Sequence, residues 1–285
     1  MNHAPATTDR ELLARADLVP PLPELVTRLL AMLDRADTEP KALEEVLARD
    51  PLLAARLLAM VNSPWFGLQR QIHLLSEAVL VVGFRGLRSL VIASSAAKYL
   101  QRDFTAYGHG PKGLWAHSVA TAAGARHLAS TLRFDADATE HLFLAGLLHD
   151  IGMFVLAPIL RERPADWLHG VTVTAAERAA LGVDHAAAGA LVAAHWNLGA
   201  PLQALVAEHH DDRPASTKGV AVVRLADAVA ESEGIGYLPG RAPRGVVHDH
   251  DLALLGVPAA AWPALRDEIA QNMRDAEQSL ARAAL

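Results

Sequence analysis

The chain has 285 residues and a formal net charge of −6; 52% of its residues are hydrophobic and 20% are charged. This composition provides for a packed core and excludes a disordered chain, and the acidic balance argues against a dedicated nucleic-acid surface. Because the chain contains no cysteine, disulfides and thiolate-ligated zinc are excluded as well.

The first half of the chain predicts four helices with apolar stripes. We place helix N-caps at Thr38, Asp50 and Ser76, because a side-chain oxygen at such a position accepts from the first helical turn. Pro51 strengthens the second of these, since proline favours the first helical position. The first helix has leucines on one face, at positions Leu25, Leu29, Leu30 and Leu33.

The second half predicts further helices after a polar, glycine-containing boundary at about residues 101–112. We expect Asp137 with Glu140, and Thr174 with Glu177, to form capping pairs at two helix starts. The segment 232–257 is rich in glycine, proline and histidine and predicts a long loop. The predicted helices cover about residues 114–132, 140–156, 175–181, 185–197, 201–210, 218–231 and 261–283.

These elements predict an all-α protein with two packed helical lobes. We divide it into a tail (1–17), one domain (18–231) made of an N-terminal lobe (18–108) and a second lobe (109–231), and a loop with a final helix (232–285). The final helix either packs on the second lobe or supports a homodimer. The first twenty residues do not resemble a signal peptide, and no unbroken apolar run reaches about 18 residues. We therefore expect a cytoplasmic protein that neither spans nor binds a membrane.

Histidines and aspartates are the most informative residues. His149 and Asp150 lie in LFLAGLLHDIGMFVLA, a stretch too apolar for a surface. Burying an imidazole and a carboxylate there costs several kcal/mol, roughly, unless they are paired, and a metal ion is one such partner. Other candidates lie on separate predicted helices, whose side chains can converge in a helical bundle. The complete set of candidate metal ligands is His117, His149, Asp150, His185, His209, His210 and Asp227.

Four of these ligands form two pairs of adjacent residues, His149-Asp150 and His209-His210, which favours two ions over one. Neighbouring residues on a helix point about 100° apart, so both members of a pair reach one ion only if the backbone is irregular. Nitrogen and oxygen ligands suit a divalent transition metal; we favour iron or manganese, with zinc or nickel as alternatives.

Each candidate also has a plainer interpretation. His209 and His210 could form an exposed helix end, and Asp227 could pair with Arg224 one turn away. His127, His141, His169 and His195 are interpreted as surface or packing residues. The two other His-Asp dipeptides, His248-Asp249 and His250-Asp251, are interpreted as a solvated turn.

The order of these motifs resembles known families. His117, His149-Asp150 and Asp227 resemble the HD superfamily of metal-dependent phosphohydrolases, and His185 with His209-His210 resembles its HD-GYP cyclic-dinucleotide phosphodiesterases. The N-terminal segments PPLPELVTRLLAMLD, LARDPLLAARLLAMVNSPWFG and AVLVVGFRGLRSLVI are similar to HDOD domains, as are LWAHSVATA and VDHAAAGALVAAHWNLGAPLQALVAEHH. The likeness runs from about Leu18 to Asp211.

The resemblance implies a bacterial signal-transduction module. HDOD domains act as output or adaptor modules, and most are thought to lack hydrolase activity, often because metal ligands are missing, whereas this chain retains a full set. It departs from the active phosphodiesterases at Met153, where they have lysine, and it has no GYP motif. We expect a protein partner such as a sensor kinase, a response regulator or a cyclic-dinucleotide enzyme. The contact surface is expected on the N-terminal lobe near Trp65 and Phe66, unless these plug a groove between the lobes.

The alternative is a metal-dependent phosphohydrolase or phosphodiesterase with a dinuclear centre, in which Asp150 bridges the ions and is the catalytic residue. Arg161 or Arg163 would then replace the missing lysine. A two-iron oxygenase and a DNA-binding regulator fit the sequence less well, since no substrate-binding feature or recognition helix supports them.

Overall fold

The structure, a computed structural model, describes residues 19–283 apart from residues 36, 64–67, 69, 161–170, 212 and 244. The described residues are mostly helical and contain no β-strand, so the prediction of an all-α fold is confirmed. The helices are α1 (Glu24–Leu33), α2 (Pro40–Leu47), α3 (Pro51–Val61), α4 (Leu75–Leu100), α5 (Gly113–Thr131), α6 (Ala136–Leu148), α7 (Met153–Leu160), α8 (Val173–Leu181), α9 (His185–His195), α10 (Ala200–Glu208), α11 (Lys218–Ser232), α12 (Asp249–Leu255) and α13 (Trp262–Ala283).

The first three helices pack against the long helix α4. The predicted apolar stripe of α1 is present, with Leu25 only half-buried and Val26 in the core. Its buried residues recur every three or four positions, at Val26, Leu29, Leu30 and Leu33. Burying one such side chain stabilises the fold by about 1.5–3 kcal/mol, which is why α1 forms against α4.

One of the three predicted N-caps in this half is confirmed. The side chain of Asp50 accepts a hydrogen bond from the backbone N–H of Leu53, at 3.0 Å. The predicted capping roles of Thr38 and Ser76 are wrong, because their hydroxyls form other hydrogen bonds. The hydroxyl of Thr38 donates to the carbonyl of Met32, and that of Ser76 donates to Oε1 of Glu44, 2.6 Å away.

Helix α4 connects the two halves of the molecule. It packs against α1, α2 and α3, and also against α6 of the second half. Its axis breaks at Gly83, where φ is +71°, a conformation that L-residues with a Cβ rarely adopt. This glycine therefore lets one 26-residue helical segment follow two packing surfaces.

Helix α5 lies at the centre of the second half, packed against α6, α11 and α13. Two glycines permit this close packing. A Cβ at Gly146 of α6 would lie 2.8 Å from the Cα of Ala122, and one at Gly124 would lie 2.0 Å from Cε of Met273. The final helix α13 thus packs on the second half, as one of the two sequence alternatives proposed.

The apolar run predicted as one helix over residues 140–156 is interrupted. Helix α6 ends at Leu148 and α7 begins at Met153, so His149 and Asp150 lie in the break. A Cβ at Gly152 would lie 2.0 Å from the carbonyl oxygen of His185, which shows how tightly the break packs against α9. The N-cap of α6 is Asp135, not the predicted Asp137.

The segment 232–257 was predicted as a loop, yet it contains helix α12 and a short backbone bridge between His109 and Tyr237. The interpretation of His250-Asp251 as a solvated turn is also wrong, because Asp251 is fully buried. Its carboxylate lies 3.8 Å from the guanidinium of Arg224 on α11. The pairing of Asp251 with Arg224 of α11 therefore buries a segment whose polar composition predicts a solvated turn.

Two helical stretches, Leu75–Leu100 and Ala136–Leu160, are long and apolar enough to cross a membrane by length and composition alone. The most apolar windows are 61% and 89% buried inside the protein, as core helices also are.

Candidate metal centre

All seven candidate ligands converge at one place in the second half. Helix α5 contributes His117, the break between α6 and α7 contributes His149 and Asp150, α9 begins with His185, and α11 contributes Asp227. The remaining two, His209 and His210, follow the last residue of α10. Six of the seven are buried, and His210 is half-buried. The interpretation of the His pair as an exposed helix end is therefore wrong.

Six of these side chains form two groups that share one carboxylate. The first group is His117, His149 and Asp150, and the second is Asp150, His185, His209 and His210; within each, one ligand atom per residue lies within 4.8 Å of the others. Oδ2 of Asp150 lies 3.1 Å from Nε2 of His149, and Oδ1 lies 3.2 Å from Nε2 of His185. Each carboxylate oxygen of Asp150 thus faces a different group.

Asp227 joins the cluster from the opposite side. Its Oδ1 lies 3.0 Å from Nε2 of His117 and 3.4 Å from Nε2 of His149, and its Oδ2 lies 4.0 Å from Nε2 of His210. It does not pair with Arg224, whose guanidinium donates to the backbone carbonyls of Glu208 and Arg213. The plainer interpretation of Asp227 is therefore wrong.

Three imidazoles are oriented by hydrogen bonds from Nδ1. His149 donates to the carbonyl of Gly146 at 2.7 Å, and His209 donates to the carbonyl of Val206 at 2.6 Å. Nδ1 of His185 lies 2.7 Å from a carboxylate oxygen of Glu177. Since these oxygens only accept, the Nδ1 atoms carry protons, and Nε2 of each ring faces the cluster. This is the usual arrangement of metal-ligating histidines.

Glu177 is a functional residue that sequence reasoning missed. We predicted it as the partner of Thr174 in a capping box, but α8 is capped by Thr172 instead. The fully buried carboxylate of Glu177 accepts from the backbone N–H of His185, from its Nδ1 and from the hydroxyl of Tyr107. The sequence does not predict that Glu177 binds His185, since a glutamate at this position is equally consistent with a local helix cap.

The buried carboxylates of the cluster favour positive charge beside them. Burial lowers the pKa of His149, but Asp150 and Asp227 outweigh burial and hold it well above its usual range. In the same way, Glu177 and Asp150 overcome burial and raise the pKa of His185 to about 10. Burial raises the pKa of both aspartates, yet the imidazoles facing them hold it well below its usual range. A divalent cation supplies the charge that these groups favour.

Unpartnered atoms also fit a metal. Among the described residues, Oδ1 of Asp150, Nε2 of His185 and Nε2 of His209 are buried without a hydrogen bond of acceptable direction, although Asp150 and His185 approach within 3.2 Å. Burial lowers the pKa of His209 and of His210 and so favours the neutral, ligating imidazole. The residues present therefore fit a His- and carboxylate-ligated metal.

Met153 is buried at the start of α7, with 3% of its surface exposed. It offers neither a charge nor a hydrogen-bond donor to a phosphate. Arg161 and Arg163, which we considered as replacements for a lysine, lie outside the described residues, as do Trp65, Phe66 and His169.

Known proteins resemble this chain in sequence and fold. The HDOD domain family matches residues 19–212. An uncharacterized protein of Treponema pallidum (strain Nichols) is 29% identical over 206 residues; the match covers 69% of this chain but 38% of that protein. A Shewanella amazonensis SB2B structure described as a candidate phosphohydrolase has a TM-score of 0.74 at 24% identity, covering 96% of this chain and 98% of its own. A Marinobacter aquaeolei VT8 structure described as a candidate signal transduction protein has a TM-score of 0.70 at 19% identity, covering 95% and 60%. At these identities the two structures show the shared fold.

Proposed function

Because the chain belongs to the HDOD domain family, we propose that it is a signal-transduction module built around a His/Asp centre for two divalent transition-metal ions. The observation that carries this proposal is the position of Asp150 between two buried groups of ligands. One carboxylate shared by two nitrogen-rich groups matches the chemistry of a dinuclear site. Iron or manganese remain the preferred ions, with zinc or nickel as alternatives.

Each residue has a definite part in this centre. His117 and His149 serve the first group, His185, His209 and His210 serve the second, and Asp150 joins the two. Asp227 adds negative charge beside the first group. When bound, the metal ions would supply positive charge and a place for an anionic ligand.

Elemental analysis of the full chain, purified without added metal or affinity tag, tests the centre. We expect about two equivalents of transition metal per chain in the wild type. Asp150→Asn, which removes the shared negative charge, is expected to lose both equivalents, whereas His117→Ala loses one. His141→Ala is the matched control, because His141 is exposed and its Nδ1 bonds only the carbonyl of Asp137. A folded protein that is purified without metal and takes up none of iron, manganese, zinc and nickel would refute the proposal.

Action through a protein partner is supported by exposed apolar side chains on the first helices and α4. Leu80 is 82% exposed and Leu52 is 71% exposed, with Leu74 and Val81 also accessible. Where exposed apolar side chains form one continuous patch, they are typical of interfaces. We propose that a sensor kinase, a response regulator or a cyclic-dinucleotide enzyme docks here.

A binding assay with purified candidates of these three classes tests the docking proposal. Leu80→Asp is expected to abolish binding, and Leu254→Asp, at an exposed leucine of α12, is expected to preserve it. Binding is expected with and without metal, since none of the exposed side chains belongs to the metal centre. If both variants bind the partner equally well, the proposal that the partner docks on this surface is refuted.

Phosphoester hydrolysis is the second candidate function, and the two adjacent ligand groups are the observation that favours it. Asp150 is then the catalytic residue that joins the two groups. Met153 opposes this function, because a lysine at its place would position a phosphate. With bis(p-nitrophenyl) phosphate or cyclic di-GMP as substrate, Asp150→Ala is expected to abolish turnover while the protein remains folded. Absence of turnover by the metal-loaded wild type would exclude this function for these substrates.

A further inference from the structure

Three side chains beside the metal centre have polar atoms without a hydrogen-bond partner among the described residues. His109 is fully buried; its Nδ1 donates to the carbonyl of Gly236 at 3.4 Å, and its Nε2 has no hydrogen-bond partner among the described residues. The half-buried side chains of Glu231 and Tyr237 make no hydrogen bond or ion pair within that part of the chain. A buried unpaired nitrogen costs about 1–3 kcal/mol, so a ligand that satisfies it gains affinity.

His109 and Tyr237 lie next to each other and next to the metal centre, and Glu231 lies one helical turn from Asp227. The ring of Tyr237 stacks on His109 at 4.2 Å between centroids and meets His117 edge-on at 5.5 Å. The ring of His109 lies 5.8 Å from that of His117. Glu231 lies four residues after Asp227 on α11, so the two share a helix face.

The backbone holds Tyr237 firmly at this place. Gly113, at the start of α5, and Gly236 pack so closely that a Cβ on Gly236 would lie 2.1 Å from the carbonyl oxygen of Gly113. The backbone N–H of Gly110 donates to the carbonyl of Gly236 at 3.0 Å, and that of Leu238 donates to the carbonyl of Gly108 at 2.8 Å. The position of Tyr237 is therefore set by the same helix that carries His117.

The chemistry of the three groups favours an uncharged ligand with hydroxyl groups. Nε2 of His109 can accept, and the carboxyl group of Glu231 and the phenol of Tyr237 can each donate or accept. Because Nδ1 of His109 donates to the carbonyl of Gly236, its Nε2 holds the free lone pair. A second phosphate would meet no cation among these three groups.

On the basis of the proposed metal centre, we propose that His109, Glu231 and Tyr237 form a binding subsite for the hydroxyl-bearing part of a phosphomonoester whose phosphate lies at the metals. Two neighbouring hydroxyls of such a ligand would donate to His109 and Glu231 and accept from Tyr237.

Isothermal titration calorimetry of the metal-loaded full chain tests the subsite with two ligands of the same carbon skeleton, glycerol 3-phosphate and n-propyl phosphate. They differ only in two hydroxyls, and inorganic phosphate is the reference. We expect glycerol 3-phosphate to bind about tenfold more tightly than n-propyl phosphate, because each added hydrogen bond contributes roughly threefold to tenfold. 2-Aminoethyl phosphate tests whether an ammonium group is preferred instead.

Tyr237→Phe, which removes only the hydroxyl, is expected to reduce this preference about threefold to tenfold without changing metal content or the affinity for inorganic phosphate. Glu231→Gln is a second variant with the same expected direction. Tyr99→Phe is the matched control, because the hydroxyl of Tyr99 is also buried without a hydrogen-bond partner but lies on α4. We expect it to bind all ligands as the wild type does.

The outcomes separate the two proposals. A metal-loaded wild type that binds none of these phosphates, that does not distinguish glycerol 3-phosphate from n-propyl phosphate, or that prefers 2-aminoethyl phosphate overturns the subsite and leaves the metal centre standing. An equal loss of affinity for every ligand in Tyr237→Phe also overturns it. A protein that takes up no metal overturns both.

Discussion

Replacement of Glu177 by glutamine tests whether a residue outside the ligand set controls the metal centre. The carboxylate of Glu177 accepts from the backbone N–H of His185 at 2.9 Å, from its Nδ1 at 2.7 Å, and from the hydroxyl of Tyr107 at 2.7 Å. Its side chain is fully buried, so no water replaces these contacts. Glutamine keeps the length and one accepting oxygen but removes the negative charge.

The expected magnitude follows from these three bonds. Glutamine can still accept from His185, so we expect the free energy of unfolding to fall by only about 1–2 kcal/mol. Loss of the charge that orients a ligating imidazole typically costs about tenfold to 100-fold in metal affinity. Glu177→Ala removes the carboxylate that accepts from all three donors, and we expect it to lower the free energy of unfolding by roughly 3–5 kcal/mol.

Competition of the metal-loaded protein against a calibrated chelator measures the affinity, and urea denaturation measures the stability. We expect Glu177→Gln to weaken one equivalent, the one held with His185, and to leave the other unchanged. Glu44→Gln is the matched control, since Glu44 also accepts two hydrogen bonds from Ser76 but lies on α2. If Glu177→Gln retains both equivalents at wild-type affinity, the carboxylate does not position His185 for metal and the reasoning fails.

Two other substitutions probe the support of the centre. Gly152→Ala adds a Cβ that would lie 2.0 Å from the carbonyl oxygen of His185, so we expect α9 to be displaced. The free energy of unfolding should fall by about 1–3 kcal/mol, and elemental analysis should show the loss of one metal equivalent. Gly199→Ala is the control, because its Cβ would meet its nearest neighbour at 3.7 Å; it should leave both quantities unchanged. Arg224→Leu removes the guanidinium that holds the carbonyl of Glu208 at the end of α10 and leaves Asp251 buried without its cation, so urea denaturation should show a loss of about 3–5 kcal/mol; a loss below about 1 kcal/mol would contradict this role.

The broad architecture could be predicted from sequence because helical periodicity and capping are local signals. The stripe of α1 and the cap at Asp50 follow directly from residue spacing. Thr38 and Ser76 show the limit of such signals, since each hydroxyl found a partner elsewhere in the fold. A capping residue is recognisable only when no tertiary acceptor competes for its side chain.

The candidate site could be predicted as a set of ligands but not as a complete site. His149 and Asp150 were recognisable because polar residues inside an apolar run require a partner. Glu177, His109 and Tyr237 carry no comparable signal, because their sequence neighbours are those of ordinary helices and loops. Their roles arise from contacts over long sequence separations, such as the bond from Tyr107 to Glu177 and the bridge between His109 and Tyr237.

The centre occupies interruptions of helices, which resolves the geometric problem posed by adjacent ligands. On a continuous helix, His149 and Asp150 would point about 100° apart. Helix α6 ends at Leu148, although His149 keeps helical φ and ψ; both residues contribute to the first group, and Asp150 also reaches the second. His209 and His210 likewise follow the last residue of α10, and both belong to the second group. The proposal of two ions therefore rests on the two carboxylate oxygens of Asp150 rather than on the divergence of neighbouring side chains.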